Sequence, residues 1–348
     1  MRTIIETAVE ADGPELLSAI ESGQSDGVFK MIATRRPNPV LSYLQENSRT
    51  RIGIIRDRQQ RIAAQFCVSP GEYYVNGSPC SVGYVGGVRK HPDFNGILDW
   101  KAMAAYVKDI GCELYTCSFL GESEIFTKKR KHFPQLFPLT GYTTYMINPK
   151  AVPYKKTDGF SFRVMTGQDR SRALAFVNRE GSRYQFAPAV SSFSQFYGLK
   201  ESDCYLMEKD GEIKAFGALW NQSSYKQYIV TEYKSYMKWM EKLSWLFQML
   251  GYIPMPKKNT VLDFPSLSFF YAEAGDKDLY ENFLARIGEE VVKQYPMFLI
   301  GMAHKHPNRP SIQKMKSIHF DSMLYYVRYD NDLVPEEERP VHCECALL

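Results

Sequence analysis

A carboxylate just beyond a strand end is well placed to act as a general base, and Glu122, two residues past the apolar run Leu114-Tyr115-Thr116-Cys117-Ser118-Phe119-Leu120, has that position. The same glutamate also reads as a solvated acid beside Ser123-Glu124, in the cap of the helix that follows. His91 stands where an apolar strand meets His91-Pro92; it could shape a site or contact a phosphate, and a histidine before proline equally serves the turn itself. His304 and His306 can offer two metal ligands from one strand, but no third or fourth ligand stands at a supporting spacing, so no metal site is expected. Gly86-Gly87 lacks the remaining glycines of Gly-x-Gly-x-x-Gly and lies late in its unit, which argues against a dinucleotide loop. The basic run Lys128 to His132 reads as a solvated helix face or as a patch for an acidic partner.

The elements that must position these residues follow from period and punctuation. Ile52-Gly53-Ile54-Ile55, a charged turn over Asp57 to Gln60, and Ile62 to Val68 form a hairpin. Ser81 to Arg89 is a further strand. After His91-Pro92 and Asn95-Gly96, an amphipathic helix carries Ile97, Leu98, Met103, Tyr106, Val107 and Ile110, closed by Gly111. The strand Leu114 to Leu120 comes next.

The second part of the chain replays that order. Phe160 to Val164 leads to a helix around Asp169 to Asn178, and Cys204 to Glu208 and Ile213 to Leu219 flank the turn Lys209-Asp210-Gly211-Glu212. Leu267 to Glu273, a polar turn, a helix through Leu279, Phe283, Leu284, Ile287 and Val291, and the strand Met297 to Met302 complete the series. Lys128 to Phe133 and Met315 to Phe320 both end in His-Phe at the same place in each half. Two cores are also the natural expectation for 348 residues, since domains favour roughly 150. The stretch 148–159 carries two prolines and has lost hydrophobic period, so the boundaries fall as 1–150, 151–330 and an acidic, flexible tail over 331–348.

The run Val85-Gly86-Gly87-Val88-Arg89-Lys90-His91-Pro92-Asp93-Phe94-Asn95-Gly96-Ile97-Leu98 resembles the signature of the GNAT superfamily of acyl-CoA-dependent transferases. The resemblance implies an α/β fold with a mixed sheet in each of two tandem domains, the sheet splaying open between its fourth and fifth strands. It implies that Gly87, Val88 and Arg89 pair with the pantetheine arm of an acyl-CoA as an added strand would. Asn95, Gly96, Ile97 and Leu98 would then cradle the pyrophosphate on a helix N-terminus. In the second half, Glu273, Asp276 and Asp278 stand where that phosphate would sit, and like charge repels it.

The function so implied is acyl transfer, with acetyl-CoA as co-substrate, to the amine of a small molecule or peptide. Glu122 and His91 are the candidate catalytic residues, and a backbone N–H near Val88 would stabilise the oxyanion. The second domain would shape the acceptor cleft or a homodimer contact. A tandem fold without catalysis, serving as a binding or scaffold protein, or a transferase using another activated donor, are the alternative readings. Forty-three basic against 39 acidic residues give only +4, too little for a nucleic-acid footprint, and no window reaches the apolar length that spans a membrane. Seven scattered cysteines suit reduced thiols and a cytoplasmic setting.

Overall fold

Local turn chemistry makes the two expected hairpins. Asp57 Oδ1 accepts from Gln59 N (2.8 Å) and Arg61 N (2.9 Å), folding the chain back on itself. Asp210 and Gly211 both take positive φ (52° and 79°), the geometry of a tight two-residue hairpin turn. The computed structural model describes residues 4–348 except 24, 27–28, 95, 97, 121–135, 154–158, 234–245, 247–252, 254 and 330–332.

The first half runs β1 (Glu6–Thr7), α1 (Gly13–Ser22), β2 (Ser25–Asp26), β3 (Phe29–Thr34), α2 (Pro39–Glu46), β4 (Arg51–Arg56), β5 (Ile62–Val75), β6 (Ser78–Lys90), α3 (Trp100–Asp109), β7 (Leu114–Leu120) and β8 (Leu136–Ile147). The second runs β9 (Ser161–Val164), α4 (Arg170–Gly181), β10 (Cys204–Lys209), β11 (Glu212–Trp220), β12 (Gln227–Tyr233), β13 (Ser266–Ala272), α5 (Lys277–Gln294), β14 (Phe298–Ala303), α6 (Arg309–Gln313) and β15 (Ser317–Val327). Helix α5 shows why the helices lie on the sheet. Leu279, Tyr280, Phe283, Leu284, Ile287 and Val291 recur at helical spacing and are all buried, while Asp276 caps the start by accepting from Leu279 N (2.9 Å). Among the described residues, no helix is long and apolar enough to cross a membrane.

Twelve strands form one sheet in the order β1-β4-β5-β6-β7-β15-β8-β14-β13-β11-β10-β9, and β12-β3-β2 form a small second sheet. The two halves are interlocked. The last strand of the second half, β15, enters the first half and pairs antiparallel with both β7 (Ser322↔Leu120) and β8 (Ser317↔Ile147). In exchange, β8 leaves its own half and pairs with β14 (Phe298↔Ile147). The small sheet repeats the exchange on a lesser scale, joining β3 to β12. Residues 315–320, whose likeness to 128–133 suggested a helix end, fall mostly in β15, and 128–133 lie outside the described residues.

The tail corrects its expectation as a free acidic end. Val341, His342, Cys343, Glu344 and Ala346 are buried. Two backbone bonds draw the tail in, Gln185 N to Pro340 O (2.8 Å) and His342 N to Gln185 O (3.0 Å), and Tyr142 Oη donates to Cys343 O (2.7 Å). Gly301 on β14 leaves the room for this passage: an added Cβ would overlap Tyr142 Oη and lie 2.7 Å from Cys345 Cβ. Gly301→Ala is therefore expected to cost about 3 kcal/mol by overpacking, read as a lower denaturant midpoint at unchanged slope.

Candidate functional site

Strands β6 and β7 are parallel neighbours only over Val82↔Leu114, Gly83↔Tyr115, Tyr84↔Thr116 and Val85↔Cys117. Beyond that point β6 continues against β5 while β7 continues against β15, so a wedge opens between them. At the mouth of the wedge β6 bulges: Gln65 pairs with Arg89 but Cys67 with Gly86, which leaves β6 one residue longer than β5 across the step. Gly87 absorbs the extra residue with left-handed backbone (φ 61°), and a Cβ there would lie 2.7 Å from Tyr43 Oη.

A cavity of about 580 Å³ adjoins this bulge, lined by Gly87 and Arg89 of β6, by Tyr43 and Glu46 of α2, and by Lys226 and Leu348. Helix α2 is set by Asn38, whose side chain accepts from Val40 N (2.9 Å), and by Pro39 at the first helical position. The spacing of three places Tyr43 and Glu46 on one face. Glu46 is ion-paired with Arg35 and with Lys226 (Nζ–Oε1 3.3 Å), and the Arg35 guanidinium lies 3.7 Å above the Tyr43 ring. Burial opposes charge on Glu46, yet Lys226 and Arg35 outweigh it and hold its carboxyl below the usual value. Burial pushes the Tyr43 phenol and the Cys67 thiol up, so both stay protonated.

Removing one member of this cluster leaves the others unpaired in a confined space. Glu46→Gln is expected to cost about 3 kcal/mol of folding stability near neutral pH. A carboxyl lowered in the folded state contributes fully above its unfolded value, about 4.3, and loses that contribution as pH falls through the lowered value. The gap between wild type and variant should therefore close in acid, which pH-dependent chemical denaturation measures.

Of the residues expected from sequence, Gly87 and Arg89 line the cavity. Val88 lies between them and turns to the cluster under α3, where Leu98 also packs. Glu122, Asn95 and Ile97 lie outside the described residues. His91 serves the turn: its backbone N donates to Ala63 O (2.8 Å) and its Nδ1 accepts from Asp93 N (3.3 Å). Helix α3 starts at Trp100 rather than at Ile97, because Asp99 caps it by accepting from Ala102 N (3.0 Å). Gly96 precedes the helix, packed against the Phe94 ring. In the second half, Asp276 likewise caps α5, and Glu273 binds Lys214 (2.8 Å). His304 Nε2 is 3.2 Å from Thr143 Oγ1, and no group of three metal-binding side chains occurs among the described residues. Arg35, Tyr43, Glu46 and Lys226 were missed by sequence reasoning, although Asn38-Pro39 is a helix-start signal that could have placed two of them.

Solved structures share this architecture. Over 99% of this chain and 89% of its own, Saccharomyces cerevisiae N-myristoyltransferase with bound myristoyl-CoA is similar at a TM-score of 0.59 and 10% identity. The tandem fold is that of the GNAT acyltransferases. A conserved Enterococcus faecalis V583 protein of unknown function, described as a probable N-acyltransferase, shares this fold at TM-score 0.55 and 9% identity, over 93% of this chain and 72% of that one. A GCN5-related N-acetyltransferase from Anabaena variabilis ATCC 29413 does so at TM-score 0.50 and 9% identity, with the same coverages. No protein-family model matches the sequence, and no curated protein matches it. At these identities the likeness speaks for the GNAT fold alone.

Proposed function

We propose that the protein is an N-acyltransferase that moves the acyl group of an acyl-CoA, with acetyl-CoA as donor, to the amine of a small molecule or peptide held in the cavity. The observation that carries this reading is the wedge between β6 and β7, which opens at a bulge directly beside the cavity. The unpaired edge of β6 can receive the pantetheine arm as an added strand. The backbone N–H groups at Gly87 and Val88 are then available to the thioester oxygen as charge develops there.

The reaction is direct. The amine nitrogen attacks the carbonyl carbon, the C–N bond forms, the C–S bond breaks, and the thiolate takes up the proton that the nitrogen sheds, through solvent. Among the lining side chains, Arg35 and Lys226 are ion-paired with Glu46, and Arg89 adds a further positive charge. A net positive surrounding disfavours an ammonium ion, so it lowers the acceptor's pKa and raises the share of free amine near neutral pH.

Mass spectrometry of reactions with acetyl-CoA or myristoyl-CoA and a panel of amines tests this, expecting acylated amine together with free CoA. No transfer from either donor would sink the proposal. It would favour a binding protein, a reading supported by Asp99, whose carboxylate occupies the start of α3 where a pyrophosphate would otherwise dock.

A further inference from the structure

The second half has its own wedge and its own bulge. Strands β13 and β14 pair only at Ser266↔Leu299. Across β11, Phe216 faces Tyr271 but Ala218 faces Ser268, so β13 carries one extra residue, and Phe269 takes the left-handed backbone (φ 51°). Ser268 is the counterpart of Gly86 and Phe269 that of Gly87. Phenylalanine in this conformation costs about 1–2 kcal/mol, which the packing around it must offset. Here the wedge is filled by the tail: Phe269 N donates to Glu344 Oε1 (2.8 Å), and Cys345 passes against Gly301 of β14. A carboxylate oxygen thus rests on the bulge amide that corresponds to the acyl-oxygen position of the first half.

Glu344 is itself held from behind. Asn308 N donates to His306 Nδ1 (3.2 Å), which leaves the proton of His306 on Nε2, facing His342 Nδ1 at 3.4 Å. His342 then carries its proton on Nε2, 3.0 Å from Glu344 Oε1. All three side chains are buried, and the Tyr184 ring stacks on His306 with centroids 5.1 Å apart. The same tail reaches the first half: Lys226 Nζ donates to Ala346 O (3.2 Å) and Leu348 O (3.1 Å), and Cys345, Leu347 and Leu348 line the cavity.

We propose that the tail is an internal ligand of the second half's acyl-oxygen position, and that Glu344, with His342 and His306 behind it, positions residues 345–348 as the acceptor-side wall of the first half's cavity. The part concerning the acceptor rests on the acyltransferase reading above; the anchoring of the tail does not. The second bulge amide is taken up by the chain itself, which leaves the wedge at β6 to serve as the acyl site.

The test compares wild type, Glu344→Ala and Glu344→Gln by iodoacetamide labelling mapped to each cysteine, and by steady-state transfer. Loss of a hydrogen bond to a charged group is expected to speed alkylation of Cys345 by about tenfold or more in Glu344→Ala, with buried Cys204 unchanged as internal control. Glu344→Gln should stay within about threefold of wild type, because its carboxamide oxygen still accepts from Phe269 N. The acceptor KM should rise about tenfold in the alanine variant, with the acyl-CoA KM within about twofold. Unchanged Cys345 labelling in Glu344→Ala, or equal acceleration at Cys204, would overturn the anchoring. An opened Cys345 with an unchanged acceptor KM would overturn the positioning role. Absence of transfer by wild type would instead overturn the acyltransferase reading and the acceptor wall with it, while the labelling still decides the anchor.

Discussion

Gly87→Val is expected to lower kcat/KM for acyl transfer by at least about 100-fold, the scale of losing one donor to a developing oxyanion. The bulge needs a left-handed residue at that position, and an L side chain there costs about 1–2 kcal/mol before any collision. The added Cβ also meets Tyr43 Oη at 2.7 Å and Cys67 Sγ at 3.2 Å, so the neighbours must shift or the backbone must give. The chain must flatten the bulge, which rotates the amides of residues 87 and 88 away from the cavity. Steady-state rates together with a thermal melt check this: a folded variant with lost transfer agrees with the account, and near-wild-type transfer contradicts it.

Residues 1–150 expressed alone are expected not to fold, and mixing them with residues 151–348 is expected to restore the native sheet. In the isolated first half, β8 loses both of its neighbours, β15 and β14, and β7 loses β15. The apolar face that these strands share would be exposed together with unpaired backbone. A domain is stable by only about 5–15 kcal/mol, so losing these pairings is expected to unfold it. A cooperative melt for residues 1–150 alone, followed by circular dichroism, would show that the exchange is dispensable.

The exchange explains what the sequence could and could not reveal. Alternation in Ser81 to Arg89 and the helical period after Asp99 report which face of each element is buried, and those elements stand within a few residues of their expected bounds. Period says nothing about which strand lies alongside, so the insertion of β15 between β7 and β8 was not legible. The start of α3 was misplaced because Ile97 and Leu98 continue the apolar pattern, whereas the Asp99 cap, a three-residue signal, decides the boundary. The tail looked solvated because of Glu336-Glu337-Glu338. Five residues on, Val341-His342-Cys343-Glu344 runs into the interior, and its polar members are buried because they bond to one another and to Phe269 N. Gly87 and Arg89 were named from the motif; Glu46, Arg35 and Lys226 come from three separate segments that only the fold brings together.

Calorimetric titration of the whole protein with acetyl-CoA, beside the Gly87→Val variant, tests the central claim most directly. Micromolar binding by wild type that vanishes in a folded Gly87→Val protein is the result expected if the wedge at β6 is the acyl-CoA site. Absence of binding at millimolar acetyl-CoA, or equal binding by both proteins, would contradict it.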